Sequence, residues 1–256
     1  MDEVLLITGG ARGIGAATAR LAAGRGYAVA VNYRERSDAA EALVGEIERA
    51  GGQAIPVQAD VAREADIVRM FEDVDARLGR LTHLVNSAGV NGGPLKPVAE
   101  LDGAMLQQLM AVNVIGLILC CREAVRRMAT GRGGRGGAIV NVSSMASTSG
   151  GRQGRTAYAG SKGAVDSFTI GLAKEVARDG IRANVLRPGM TRSDMTERVH
   201  GDPERLARTA ATIAMNRIAE PEEMARAILW LLSDEASFIS GALLDASGGG
   251  FAQLSN

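Results

Sequence analysis

Tyr158 and Lys162 stand four residues apart in a run, 156–178, whose patterning predicts a helix. That spacing places both side chains on one face, about 6 Å apart along the axis. A phenol titrates near 10 in isolation, so it trades protons near neutrality only beside positive charge. A tyrosine with a lysine at this offset is therefore a candidate general acid/base pair. The serines Ser143 and Ser144 close the β-rich run 138–143 ahead of them. Alternation along a strand presents only one of the two. Its hydroxyl could hold a carbonyl oxygen while charge develops there, as when a ketone accepts a hydride. Lysine is scarce, with Lys96, Lys162 and Lys174 among 29 basic residues. Where arginine is the default cation, a lysine at this spacing is read as wanted for its own chemistry.

A second constellation lies near the start of the chain. A β-rich run, 4–8, leads into Thr8-Gly9-Gly10-Ala11-Arg12-Gly13-Ile14-Gly15, which opens a predicted helix over 13–25. Glycines are needed there to turn the chain sharply, to let the backbone approach a pyrophosphate and to pack the helix on the strand. The free amides at the helix start then face the anion. The second strand, 28–33, ends in Asn32 and Tyr33 and is followed by Arg34. An acidic residue at that end would bind ribose hydroxyls and repel a 2′-phosphate, and none is present. Arg12 and Arg34 could instead grip a phosphate dianion. The expected cofactor is NADP(H). NAD is the alternative, because Glu35 beside Arg34 weakens the preference.

These groups need a scaffold that brings strand ends together. β-rich runs at 4–8, 28–33, 54–58, 81–86, 138–143, 181–186 and 242–245 alternate with helical runs at 13–25, 38–50, 62–78, 102–129, 156–178 and 221–233. The strands are apolar on successive positions, as parallel strands covered on both faces must be. The alternation predicts an α/β fold: one Rossmann-like, doubly wound parallel sheet with helices on both faces, in a single domain over 1–256. The polar stretch 190–216 interrupts the alternation and is the candidate substrate-covering segment. The glycine- and arginine-rich run 131–137 is read as a surface turn.

The spacing Thr-Gly-x-x-x-Gly-x-Gly resembles that of the short-chain dehydrogenase/reductase family. Further marks follow in order: Asp60-Val61, Asn86-Ser87-Ala88-Gly89, Asn113, Ser143-Ser144, Tyr158-Ala159-Gly160-Ser161-Lys162 and Pro188-Gly189. Ser87 stands where the family usually has Asn, and Thr191 where an aliphatic residue is usual. The resemblance implies hydride transfer between a nicotinamide and a ketone or secondary alcohol. It implies Tyr158 as general acid/base, and Lys162 lowering its pKa and bonding the nicotinamide ribose. Ser144 would bind the substrate oxygen, and Asn113 would orient a water in a proton relay. Asp60 and Val61 would flank the adenine, Asn86, Ala88 and Gly89 the ribose side, and Pro188, Gly189 and Thr191 the nicotinamide. Two specific activities stay open. One is reduction of a 3-oxoacyl group on a carrier protein, for which Arg126, Arg127, Arg132 and Arg135 could meet an acidic partner. The other is a glucose-type sugar dehydrogenase. A non-catalytic NADP-binding sensor is the reading from a different class, and such proteins tend to lose the Tyr/Lys pair kept here. The family also implies a homotetramer, with the apolar helix carrying Trp230 against a partner.

Composition bounds the rest. The 256 residues are 46% hydrophobic and carry no net charge, so neither a nucleic-acid footprint nor a polybasic membrane anchor is expected. The apolar run 112–121 is too short to span a bilayer, and the acidic start lacks a signal-peptide pattern. Cys120 and Cys121 are adjacent and read as packing residues of a cytoplasmic protein. His83 and His200 lack metal-ligand spacing, so no metal is expected.

Overall fold

The computed structural model describes residues 3–250. Seven strands form one sheet: β1 (Val4–Thr8), β2 (Ala28–Tyr33), β3 (Gln53–Gln58), β4 (His83–Asn86), β5 (Gly137–Val142), β6 (Ile181–Pro188) and β7 (Leu243–Ala246). Their order is β3-β2-β1-β4-β5-β6-β7, and every pairing is parallel. The central strand β1 is buried at every position, which explains its unbroken apolar sequence. The chain winds outward from β1 to β3, then returns to place β4 on the other side of β1. That reversal opens a crevice beyond the carboxyl ends of β1 and β4, the place where such sheets bind ligands.

Three helices cover one face: α1 (Gly13–Ala23), α2 (Ser37–Arg49) and, from the end of the chain, Pro221–Leu232. The other face carries α3 (Glu64–Leu78), α4 (Gly103–Met110), α5 (Leu117–Met128) and, after the one-turn α6 (Ala146–Ser149), α7 (Thr156–Val176). Phe71, Met70 and Val74 of α3 pack with Leu84, Ile139 and Ile181 of the sheet in one core. Ile7, Val29 and Val140 pack with Leu43, Ile47 and Ile228 in the other.

The expected single helix over 102–129 is interrupted. Ala111–Gly116 form a π turn between α4 and α5. Such turns are rare and occur mostly at functional sites, and the buried Asn113 lies inside this one. The apolar pattern continues through the turn, so the pattern alone does not show it. The whole run Gly103–Met128 is long and apolar enough by composition to cross a membrane, longer than the stretch 112–121 suggests. Leu109, Cys120, Cys121, Ala124 and Met128 are buried in the protein core, which accounts for its apolar character.

The stretch 190–216 is not featureless. It holds a 3-10 turn, Asp194–Thr196, then α8 (Glu197–His200) and α9 (Pro203–Ala211). Asp202 caps α9 by accepting from the amides of Glu204 and Arg205, with Pro203 at the first helical position. A parallel bridge between Thr191 and Ala219 closes its base. The helix α10 (Pro221–Leu232) follows. The 131–137 turn is held by Arg80, whose guanidinium donates to the carbonyls of Arg132 and Gly133.

Candidate active site

A cleft of about 390 Å³ runs along the carboxyl edge of the sheet, from the end of β2 to the start of α7. Its floor at one end is the glycine turn. Gly9 has φ +62°, and a Cβ there would lie 2.8 Å from the Cα of Ala88. A Cβ on Gly15 would lie 2.4 Å from the carbonyl oxygen of Gly9. Gly15 therefore does not line the cleft; it lets α1 sit against the turn. Gly9, Arg12, Gly13, Ile14, Ala88 and Gly89 do line it, as expected. Asn32 lines it too, but its side chain is committed. Its Oδ1 accepts from the Gly9 amide at 3.1 Å, and its Nδ2 donates to the carbonyl of Ala59 at 3.1 Å. Asn32 thus ties the ends of three strands together.

Tyr33 and Arg34 border the cleft beyond β2, and Asp60 and Val61 border it beyond β3. Asp60 accepts from the Ala62 amide at 2.9 Å, which shapes that turn. Arg34 pairs with Glu35 at 2.6 Å, and Arg12 pairs with Asp194 across the mouth. Both pairs are exposed, and exposed pairs are worth only about 0–1 kcal/mol. A phosphate dianion can displace them. Asp194 and its neighbours Ser193, Met195 and Thr196 line the cleft; they fall in the stretch 190–216 expected to cover the substrate, where the sequence singles out none of the four as a site residue. Residues 12 and 194 lie far apart in the chain, so no local signal announces the pair.

Asn86 is not where the resemblance implies. It is 2% exposed and points into the sheet. Its Nδ2 donates to Asn141 at 2.9 Å, and its Oδ1 accepts from Thr8. Asn141 in turn donates to Thr169 of α7 at 2.9 Å. This buried polar ladder fixes strand ends, while the neighbouring Ser87 faces the cleft.

At the other end Ser144, Tyr158 and Lys162 line the same cleft. The two serines are separated by their partners. Ser143 is buried and donates to the Lys162 carbonyl at 3.1 Å, locking β5 to α7. The Ser144 oxygen accepts from the Ala146 amide at 3.1 Å, and its hydroxyl hydrogen bonds towards the Tyr158 phenol. Lys162 is 4% exposed, and its Nζ donates to the Val142 carbonyl at 2.9 Å. Burial pushes its pKa down to about 8, with Asp166 pulling the other way. Burial also raises the Tyr158 phenol, while the Ser144 hydroxyl and the Arg155 charge draw it down. The Lys162 ammonium sits 6.0 Å from the centre of the Tyr158 ring. Within the protein it is thus Ser144 and Arg155, more than the expected lysine, that oppose burial at the phenol.

Asn113 lies beneath this group and does not line the cleft. Its Oδ1 accepts from the Val90 amide at 2.8 Å, and its Nδ2 donates to the Val90 carbonyl at 2.9 Å and to Ser161 at 3.0 Å. Both amide hydrogens are used, so the side chain clamps the Gly89-Val90 strand exit. The turn at Pro188, Gly189 and Thr191 closes this end. The Gly189 amide donates to Ala246 at 2.9 Å, and the Thr191 hydroxyl donates to the Gly189 carbonyl at 3.2 Å. Arg126 and Arg127 lie in the last turn of α5, and Arg132 and Arg135 between it and the start of β5. In a parallel sheet that is the amino edge, opposite the cleft. Arg127 is also held by Asp75 at 2.6 Å and Glu123 at 2.9 Å.

The cleft fits a dinucleotide: glycine cradle and helix amides at one end, paired arginines beyond β2, and a proton-transfer group at the far end. Residues 9–250 match the family described as Enoyl-(Acyl carrier protein) reductase. The oxidoreductase YgfF of Escherichia coli (strain K12), itself described as uncharacterized, is 46% identical over 246 residues, 96% of this chain and 99% of its own. A human 3-oxoacyl-[acyl-carrier-protein] reductase is 38% identical over 249 residues, 97% of this chain and 98% of its own. A blue fluorescent protein from a metagenomic library, solved in complex with NADPH, superposes with TM-score 0.87 at 33% identity, covering 96% of this chain and 97% of its own.

Proposed function

Since this chain belongs to the short-chain dehydrogenase/reductase family of oxidoreductases, we propose that it uses NADP(H) to interconvert a ketone and a secondary alcohol, with Tyr158 as general acid/base. The carrying observation is that Ser144, Tyr158 and Lys162 share one cleft with the glycine turn. Bound there, the nicotinamide supplies the hydride.

The protein's own groups do the rest. Ser144 turns its hydroxyl hydrogen from the phenol to the substrate oxygen, and Tyr158 delivers the proton to the same atom. Burial keeps that proton on the phenol, the state ketone reduction requires. Lys162 has two N–H donors beyond the one given to Val142, and these hold the nicotinamide ribose. Asn113 positions Val90 and Ser161, and both of its amide hydrogens are used in doing so. Arg12 and Arg34 exchange Asp194 and Glu35 for the 2′-phosphate. The family relative solved with NADPH supports that cofactor over NADH.

Among substrate classes we favour an oxoacyl compound. The human relative's description supports it, as do the exposed apolar side chains of Met195, in the cleft wall, and Leu95, packed beside Gly154 ahead of α7. A polyhydroxylated sugar would find fewer polar partners there. Exposed Ile115, Trp230 and Phe238 mark faces for a homotetramer, and two buried thiols suit a reducing cytoplasm.

The test is a fluorescence titration with NADPH and NADH, followed by a panel of ketones, oxoacyl thioesters and sugars. Tighter NADPH binding with turnover on oxoacyl compounds is expected. Tight binding with no turnover on any class would overturn the catalytic reading in favour of a sensor.

A further inference from the structure

We propose that Asp166 is a positioning residue for this site, holding Lys162 and the Pro188-Gly189 turn in register through a buried ion pair with Arg187. The inference rests on the catalytic reading above.

Tyr158, Lys162 and Asp166 follow one another at four-residue steps and so share one face of α7. Asp166 is 6% exposed. Its Oδ2 accepts from both Nε and Nη2 of Arg187 at 2.9 Å, and its Oδ1 is buried with no hydrogen-bond partner. Burying a carboxylate is costly, and an apolar pair of similar volume often stabilises a fold as well or better. Stability alone does not call for this pair.

Its place does. Arg187 immediately precedes Pro188-Gly189, and its Nη1 reaches Asp245 of β7 at 3.4 Å. One residue further on from Ala246, Ser247 packs so closely on Gly189 that a Cβ there would lie 2.8 Å from the Ser247 Cα. The ion pair therefore joins the catalytic helix to the two strands whose ends shape the far wall of the cleft. It also sets the charge around Lys162. On α7 the charged or titratable groups facing Lys162 are Tyr158 and Asp166. From the sheet, β6 contributes Arg187 and β7 contributes Asp245 behind it, while β5 offers only the Val142 carbonyl and Ser143. The π turn offers only the neutral Asn113. Asp166 is the one carboxylate that opposes the loss of the lysine's proton on burial. Without it, Lys162 loses the opposing charge that offsets its burial and gives up its own charge at lower pH.

The experiment compares wild type, Asp166→Asn, Asp166→Glu and the double variant Asp166→Leu/Arg187→Met. The readouts are kcat/KM for NADPH-dependent reduction from pH 6 to 10, the NADPH Kd and the Tm. In Asp166→Asn the alkaline limb should move down by about one pH unit or more, with turnover at pH 8 falling about fivefold or more. Asp166→Glu should restore most of the profile. The double variant removes both buried charges, so it stays informative if Asp166→Asn does not fold. Its Tm should match wild type while NADPH binds more weakly and turnover falls. A purely structural role predicts lower Tm with an unshifted pH profile. An unshifted profile in Asp166→Asn, or a double variant with wild-type kcat and NADPH Kd, overturns the inference. Tyr158→Phe is assayed alongside: full turnover there overturns the catalytic reading, whereas an inactive Tyr158→Phe with unshifted Asp166 variants overturns this inference alone.

Discussion

Replacing Gly15 by alanine should damage the protein, although alanine is the better helix former. In a helix interior the exchange is worth about 0.5–1 kcal/mol in favour of alanine. At position 15, however, the new Cβ would lie 2.4 Å from the Gly9 carbonyl oxygen and 2.9 Å from the Gly10 Cα. Ordinary contact begins at 3.4 Å, so the turn or the helix must give by about 1 Å, and the obstacle is backbone that cannot rotate away. Overpacking of this kind costs about 1–3 kcal/mol, leaving a net loss of up to about 2.5 kcal/mol. For a chain of this size that lowers Tm by up to about 10 °C. The shift would also displace the amides proposed to hold the pyrophosphate. A hydrogen bond to a charged group contributes about 1.5–3 kcal/mol, so NADPH binding should weaken about ten- to hundredfold. Gly45→Ala is the control. It sits inside α2 with nothing within 4 Å of its added Cβ. It should raise stability by about 0.5–1 kcal/mol and leave NADPH affinity alone. Thermal melts and NADPH titrations of both variants decide the matter. If Gly15→Ala keeps wild-type Tm and Kd, or if the two variants behave alike, the close-packing argument is wrong.

Arg34→Ala should raise the NADPH Kd about ten- to hundredfold, the loss of a charge-assisted phosphate contact, while NADH binding changes little; equal effects on both would count against a 2′-phosphate site. His83 supplies a pH prediction. It is buried beside Thr82, edge-on to the Tyr27 ring, and burial pushes its pKa down from 6.5 to about 4. A depressed folded-state value means the contribution is complete above pH 6.5 and is lost as pH falls towards 4. By pH 4 the loss amounts to about 3 kcal/mol, visible in urea melts at pH 7 and pH 4. A His83→Phe variant should lose that part of the acid sensitivity, and an unchanged pH slope would refute the assignment.

Much of the scaffold was legible because its signals are local. Apolar runs bounded by glycine and polar turns gave β1 and β2 their limits, and the other strands begin or end within a few residues of the expected places. The Tyr158/Lys162 spacing was legible for the same reason, since it follows from one helix, whereas the choice of Ser144 over Ser143 came from the resemblance. Roles that depend on distant partners were not. Asn86 and Asn113 carry side chains suited to a ligand, yet each is consumed by groups from other elements. Asp194 reaches Arg12 only after the chain has crossed the sheet. The π turn was hidden because its apolar pattern matches that of the flanking helices. The basic residues near 126–135 show the remaining gap. Counting charges suggested a docking face, whereas their place between a helix end and a parallel strand's start puts them at the wrong edge.

The most direct test of the account is turnover by Tyr158→Phe, measured with the NADPH Kd on the same preparation. The substitution deletes one hydroxyl and keeps the ring. Turnover should fall about 10²- to 10⁴-fold on every substrate the wild type accepts, with the NADPH Kd changed by no more than about threefold. Undiminished turnover on those substrates would contradict the claim that Tyr158 carries the proton.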